Sequence, residues 1–204
     1  MIAEAAASRP DAWRVLGFTD PTSAERTSRT TGLERLGDDD ELLERLENAS
    51  PGERPELVLG FGAGGSAGRR RAVERFGTVA TWATVIHATS TVSPSARIEP
   101  GSVILAGAIV GPGAWVGAHA IVNSRVVLEH DVSVGSFTQV APGVVAGGGV
   151  RIGDGVVVGL GALLRDHVTI GDGATVGMGA VVVRDVPGGA VVMGNPAVAR
   201  AEAS

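Results

Sequence analysis

From Ile86 to Val182 every sixth residue is aliphatic, and no insertion breaks the phase. Sixteen of these seventeen positions are Val, Ile or Leu, and Ala146 is the one weak member. Four residues after many of them comes a small or β-branched side chain, as at Ala108, Ala114, Ala120, Thr138, Ala162 and Ala180. The residue directly after is often glycine, as at Gly111, Gly117, Gly135 and Gly153. A period of six is neither helical nor a plain alternation, so an amphipathic helix is excluded. It suits a prism-shaped parallel β-helix in which each hexad forms one face and three hexads complete a coil. The aliphatic side chains then point inward and stack on their equivalents three hexads away, and seventeen hexads give between five and six coils. No coil can bury its own face, so stacking supplies the core. Turns between faces favour Gly, Asn or Asp, where φ can be positive.

Up to Ala80 the chain follows a different pattern. Trp13–Phe18 reads as a strand with Asp20-Pro21 as its exit turn, and Asp40–Glu47 as a short helix with Leu42, Leu43 and Leu46 on one side. Leu57–Gly60 reads as a second strand, and Ser66 as the cap of a helix running through Arg69–Phe76. Strand, helix, strand, helix implies a small Rossmann-like α/β unit with a parallel sheet. The fold class expected is therefore mainly β: a β-helix domain over 81–204, preceded by a small and truncated α/β domain over 1–80, with Thr78–Ile86 as the passage between them.

Composition removes several chemistries. The 204-residue chain has no Cys, Lys or Tyr, which excludes a disulfide framework, a thiolate metal site, a cysteine nucleophile, a lysine Schiff base and a tyrosine acid or base. A net charge of −5 argues against a nucleic-acid partner. Met1–Arg9 lacks the basic start and apolar core of a signal peptide. Between Glu99 and Arg125 the one titratable side chain is His119, a stretch long enough to suggest a membrane span. Pro100, Pro112 and the uninterrupted hexad rhythm oppose that reading, and the expectation is a cytoplasmic protein with no membrane partner.

A β-helix is a scaffold, so function is sought where polar residues interrupt its pattern. The clearest interruption is Asn123–Asp131. Leu128 keeps the inward phase, which places His130 near a corner and facing out of the prism, flanked by Glu129 and Asp131. A carboxylate beside a histidine orients the ring and raises its basicity, which suits a general base. A solvent-facing histidine in a charged loop is the plainer alternative.

Asn123 with Leu128-Glu-His-Asp131, then Val134–Gly143, Val150–Gly155, Val182–Pro187 and Gly194–Ala197, resembles the hexapeptide-repeat sugar acetyltransferases of the sialic acid O-acetyltransferase and UDP-4-amino-sugar N-acetyltransferase type. The resemblance runs from Trp13 to Arg200, weakly before Val79 and closely after it. It implies a left-handed β-helix, a hand that the general rule for parallel crossovers would not give. It implies His130 as general base and Asp131 as the residue that tunes it. It also implies acetyl-CoA as co-substrate, held between adjacent β-helices of a homotrimer, with cofactor contacts carried over to Gln139, Leu160, Met178 and the backbone of Gly148. Acyl transfer would be direct, within a ternary complex, onto an amino or hydroxyl group of a sugar or nucleotide-sugar acceptor. Asp20, Gly60 and Asn123 are the matching acceptor-binding positions, and no metal is expected.

Two departures stand out. Gln139 occupies the place of a second family histidine, so it can donate a hydrogen bond but cannot titrate. The family's opening strand and nucleotide-cradling glycine loop have no counterpart before Trp13: either the start lies upstream of Met1 or that grip is lost. The run Gly60–Gly68, ahead of Arg69, Arg70 and Arg71, could serve as a phosphate cradle or simply as a flexible turn. His87 is expected at the domain junction, and His119 and His167, which share a hexad position, at surface or corner sites. Asp38–Glu41 reads as a solvated helix start. Two other functions stay open: a metalloenzyme resembling the γ-class carbonic anhydrases, which share this β-helix, and a non-catalytic scaffold.

Overall fold

A computed structural model describes residues 1–20, 32–60 and 65–199. Seventeen two-residue strands, from Val85–Ile86 to Val181–Val182, follow at six-residue intervals. They stack in parallel on strands three hexads away: Val127 lies beside Ile109 and Val145, and Leu128 beside Val110 and Ala146. The result is a three-faced β-helix. The first face contains Val85–Ile86, Ile121–Val122 and Gln139–Val140; the second contains Ile109–Val110 and Val127–Leu128; the third contains Trp115–Val116 and Ser133–Val134.

The inward positions Val110, Val116, Val122, Leu128, Val134 and Val140 are fully buried, as the six-residue series requires. The small residue four places on is a second inward position: Ala108, Ala114, Ala120, Val126 and Thr138 are equally buried. Ala146 is not a defect in the core. Its neighbours in the same stack are Leu128 below and Leu164 above. These are the two leucines of the whole inward series, so large side chains on either side fill the space a small one leaves.

Glycine serves two separate purposes. From Gly101 to Gly179 every sixth residue is a corner with φ between 57° and 76°, the left-handed region that suits glycine. Gly111, directly after an inward valine, has no positive φ; a Cβ there would lie 2.8 Å from the backbone of Glu129 in the next coil. Corner glycines thus satisfy backbone conformation, and post-strand glycines satisfy the close approach of successive coils.

Before the β-helix lie the helices Ile2–Ala7, Asp39–Asn48 and Gly65–Phe76. Asp38 caps the second, accepting from Asp40 N–H and Glu41 N–H, and Glu41 returns a bond to Asp38 N–H. The Glu41 N–H bond leads in holding the Asp38 carboxyl below its ordinary pKa. Arg75 of the third helix pairs with Asp40 of the second. Ala5 and Ala6 of the first helix cover Val85, Val103 and Leu105 on the first face.

Three expectations for this region are corrected. Trp13–Phe18 is not a strand: Phe18 makes a single bridge to Arg35, while Trp13 and Val15 pack into the small apolar cluster under the first helix. The second strand is Glu56–Leu57, paired with Thr81–Trp82, and stops short of Gly60. Ser66 lies inside its helix, which begins at Gly65, rather than capping it. Pro21, the middle of the Gly60–Gly68 run (61–64) and Arg200 lie outside the described residues. Among the described residues no helix is long and apolar enough to cross a membrane.

Candidate active site

His130 sits at the corner between the second and third faces, between Val127–Leu128 and Ser133–Val134. Leu128 anchors the preceding strand in the core, and Asp131 takes the left-handed turn at φ 58°. The His130 side chain is 60% exposed, and its Nδ1 lies 3.0 Å from Asp131 Oδ2. An ionised carboxylate can only accept, so Nδ1–H donates and the lone pair remains on Nε2. That nitrogen lies against Gly148, one coil further on: a Cβ at 148 would stand 2.4 Å from Nε2. Asp131 uses a second vacancy, since a Cβ on Gly113 would stand 2.5 Å from its Oδ1. The imidazole and its carboxylate thus rest on the two glycines above and below them.

Gly148 brings one more property. Its N–H makes no hydrogen bond among the described residues. The coil does not need that N–H, because the same hexad position carries Pro100, Pro112 and Pro142 elsewhere. A buried glycine beside an imidazole nitrogen therefore presents a backbone donor that the fold leaves unused. These features fit a carbonyl oxygen better than a metal; among the described residues no three His, Asp or Glu side chains gather as a metal site.

The other expected cofactor residues lie elsewhere on the prism. Gln139 is on the first face, and Leu160 and Met178, both exposed, occupy the corner between the first and second faces. Asn123 is buried at the same corner, where its Oδ1 accepts from Ser124 N–H at 2.8 Å. Within one chain the second face separates this group from His130. After Thr91 in its first strand, its outward side chains Ile109 (44% exposed), Val127, Val145, Leu163 (46% exposed) and Val181 are apolar. Asp20 is half-buried, and its carbonyl accepts from the guanidinium of Arg35. Gly60 is exposed, with open space where a Cβ would stand.

His119 departs from expectation. It is a corner residue, as its hexad position implies, but it is only 7% exposed. Phe137 stacks on its ring and Trp82 meets it edge-on, each with centroids 5.0 Å away. Arg69, from the helix Gly65–Phe76, donates to Phe137 O, and Arg70 lies over the Phe137 ring. Burial, reinforced by the Arg69 charge, lowers the His119 pKa. Neither His119 Nδ1 nor Arg69 Nε has a hydrogen-bond partner among the described residues. What the six-residue pattern cannot supply is the segment from 65 to 82 that covers this corner. His167, at the equivalent hexad position, is exposed as expected. His87 lies where the β-helix starts, its Nδ1 accepting from Thr89 N–H.

One sequence signal for the site is visible only in retrospect. Of the fourteen corners from 101 to 179, five are not glycine: His119, Arg125, Asp131, Phe137 and His167. Side chains at left-handed φ are strained by about 1 kcal/mol or more, and such residues cluster at functional sites. Four successive non-glycine corners, 119 to 137, bracket the general-base candidate.

Comparison with solved structures finds the same architecture. The acetyltransferase domain of PglB from Neisseria gonorrhoeae FA1090, in complex with acetyl coenzyme A, is 31% identical over 98% of this chain and 93% of that one, with a TM-score of 0.84. A variant of perosamine N-acetyltransferase from Caulobacter crescentus, in complex with CoA and GDP-perosamine, is 28% identical over 98% and 92% of the two chains, with a TM-score of 0.85. WeeI from Acinetobacter baumannii AYE shares the fold at 20% identity, over 96% and 92% of the chains, with a TM-score of 0.62. No protein-family model and no curated protein matches the chain. The hand of the β-helix is left, as in these relatives.

Proposed function

Because the chain belongs to the hexapeptide-repeat sugar acetyltransferases, we propose that it acetylates an amino group, or else a hydroxyl, of a nucleotide-linked sugar with His130 as general base. The observation that carries this reading is His130 held by Asp131 at Nδ1, with Nε2 against the unused N–H of Gly148. Acetyl-CoA supplies the activated acetyl thioester, whose carbon–sulfur bond breaks as the acceptor bonds to the acetyl carbon, and CoA leaves as the thiol with the proton that His130 gives back. His130 Nε2 takes the proton of the attacking acceptor, and Asp131 keeps Nδ1–H in place and stabilises the imidazolium that results. Gly148 N–H donates toward the acyl oxygen as negative charge develops there, the contribution of an oxyanion hole. With no cysteine in the chain, no cysteine thioester can form on the protein. The nucleotide sugar is favoured as acceptor by the GDP-perosamine complex of the Caulobacter crescentus enzyme. We assign acceptor binding to residues 1–80 with Asp20, Gly60 and Asn123, acyl transfer to 81–204, and the reaction to the cytoplasm.

The placement of the two residue groups supports a particular assembly. His130, Asp131 and Gly148 border the second face on one side, Asn123, Leu160 and Met178 border it on the other, and Gln139 lies on the first face beyond them. Three prisms that turn their apolar second faces toward a common axis would bring the His130 corner of one subunit beside the Leu160–Met178 corner of the next. That arrangement buries an aliphatic stripe otherwise left in water and completes the cofactor groove between subunits. A homotrimer is therefore part of the proposal.

The test is CoA release from acetyl-CoA in the presence of a panel of nucleotide-linked and free amino sugars, with mass spectrometry of the product. Acceptor-dependent release and a mass gain of one acetyl group support the reading. Absence of transfer to every amino and hydroxyl acceptor overturns it and leaves the scaffold alternative.

A further inference from the structure

The corner that carries His130 also carries His167, two coils further on, and the step between them is bare. Gly149 N–H donates to His130 O and His167 N–H donates to Gly148 O, each at 2.9 Å, so the pairs His130-Asp131, Gly148-Gly149 and Asp166-His167 stack directly. The two glycines leave a notch in an otherwise side-chain-bearing edge. His130 enters it from one side, with Nε2 against Gly148. His167 enters from the other: a Cβ on Gly149 would stand 2.5 Å from its Nδ1. The ring of His167 makes no hydrogen bond among the described residues, and its backbone is held at φ 61°, where glycine would be easier. Nothing in the fold requires an imidazole at that position.

We propose that His167 contacts the pantetheine arm of acetyl-CoA and sets affinity for the co-substrate, an inference that rests on the acetyltransferase reading above. The backbones of His130 and His167 stand two coils apart, but His130 Nε2 and His167 Nδ1 both reach the glycine coil between them, so the rings are separated along the axis by no more than about one coil spacing of 4.8 Å. The thioester must sit where the acceptor activated by His130 can reach it. The arm leaving its sulfur is an extended chain with two amides, and at backbone-like bond lengths the first lies roughly 4–5 Å from the sulfur. Leu160 and Met178, across the proposed groove, also lie beyond Gln139 toward the C-terminal coils, so both walls point the arm in the same direction. An imidazole can donate to an amide carbonyl or accept from an amide N–H. His167 is thus a binding residue for the arm and has no part in proton transfer at the acceptor.

The experiment compares wild type with His167→Gly and His167→Asn. Glycine suits the left-handed corner, so H167G should melt at or above the wild-type temperature. Calorimetry with CoA itself should show binding weakened about tenfold, the size of one lost hydrogen bond. KM for acetyl-CoA should rise by a similar factor with kcat within twofold. H167N, which tolerates this backbone and retains an amide donor, should recover part of the affinity. With S-acetyl-2-mercaptoethanol, whose arm carries no amide, H167G and wild type should have equal KM. The proposal is overturned if H167G binds CoA as tightly as wild type, if the short thioester suffers the same loss, or if kcat falls while CoA binding is unchanged. Wild-type protein that binds no CoA overturns the acetyltransferase reading as well; wild type that binds CoA beside an unaffected H167G overturns this inference alone.

Discussion

Gly148→Ala should remove activity while leaving the fold intact. The new Cβ would stand 2.4 Å from His130 Nε2 and 2.6 Å from Cε1, against an ordinary contact of 3.4 Å or more, so the ring must move by about 1 Å. Backbone strain is not the cause, because Gly148 is absent from the left-handed residues and alanine can adopt its conformation. His130 is 60% exposed and can swing toward solvent, so the stability loss should be under about 0.5 kcal/mol. The swing separates Nδ1 from Asp131, and displacement of a reacting group by ~1 Å costs about a hundredfold in rate. CoA release gives kcat/KM, and a urea melt gives stability. Gly173→Ala is the control: its φ of 67° makes alanine strained while nothing lies within 4 Å of the new Cβ, and it should lose about 1 kcal/mol of stability with kcat/KM unchanged. A folded G148A enzyme with kcat/KM within threefold of wild type would refute the placement of Nε2 at the reacting centre.

Ala146→Leu should destabilise the β-helix by about 1–3 kcal/mol in urea, because Leu128 and Leu164 already fill the space around it; an unchanged midpoint contradicts that packing. His119 has a lowered pKa when folded, so its contribution to stability is present above the unfolded value of about 6.5 and is lost as pH falls below it. His119→Asn should flatten the decline in melting temperature between pH 7.5 and 5, and parallel curves for the two proteins would refute the assignment. Leu163→Asp puts a charge on the exposed apolar second face; light scattering should show the proposed trimer giving way to smaller species, and a mass equal to wild type argues against that face as the interface.

The sequence was most informative where structure repeats. An inward aliphatic residue every sixth position determines the phase of every strand, so the outward placement of His130 at a corner could be read from Leu128 alone. The same pattern could not say that Ala146 is compensated, because its partners lie three hexads away on either side and matter through volume. It also could not tell His119 from His167. The two share a hexad position, and the difference is made by Trp82 and the helix carrying Arg69, which reach one corner and not the other. Ahead of the β-helix there is no repeat to correct a local misreading. Trp13 and Val15 have strand-like character, yet they satisfy it by packing under the first helix rather than by pairing. The separation of Gln139 from His130 was likewise hidden. Close in sequence, they are parted by the turn of the coil, His130 at the corner between the second and third faces and Gln139 on the first.

The most direct measurement is kcat/KM for acetyl transfer by His130→Ala beside wild type, at a pH where both are folded by circular dichroism. If His130 Nε2 is the general base, the variant loses about a hundredfold to ten-thousandfold while CoA binding is retained. A folded His130→Ala protein that transfers acetyl groups within twofold of the wild-type rate would contradict the account.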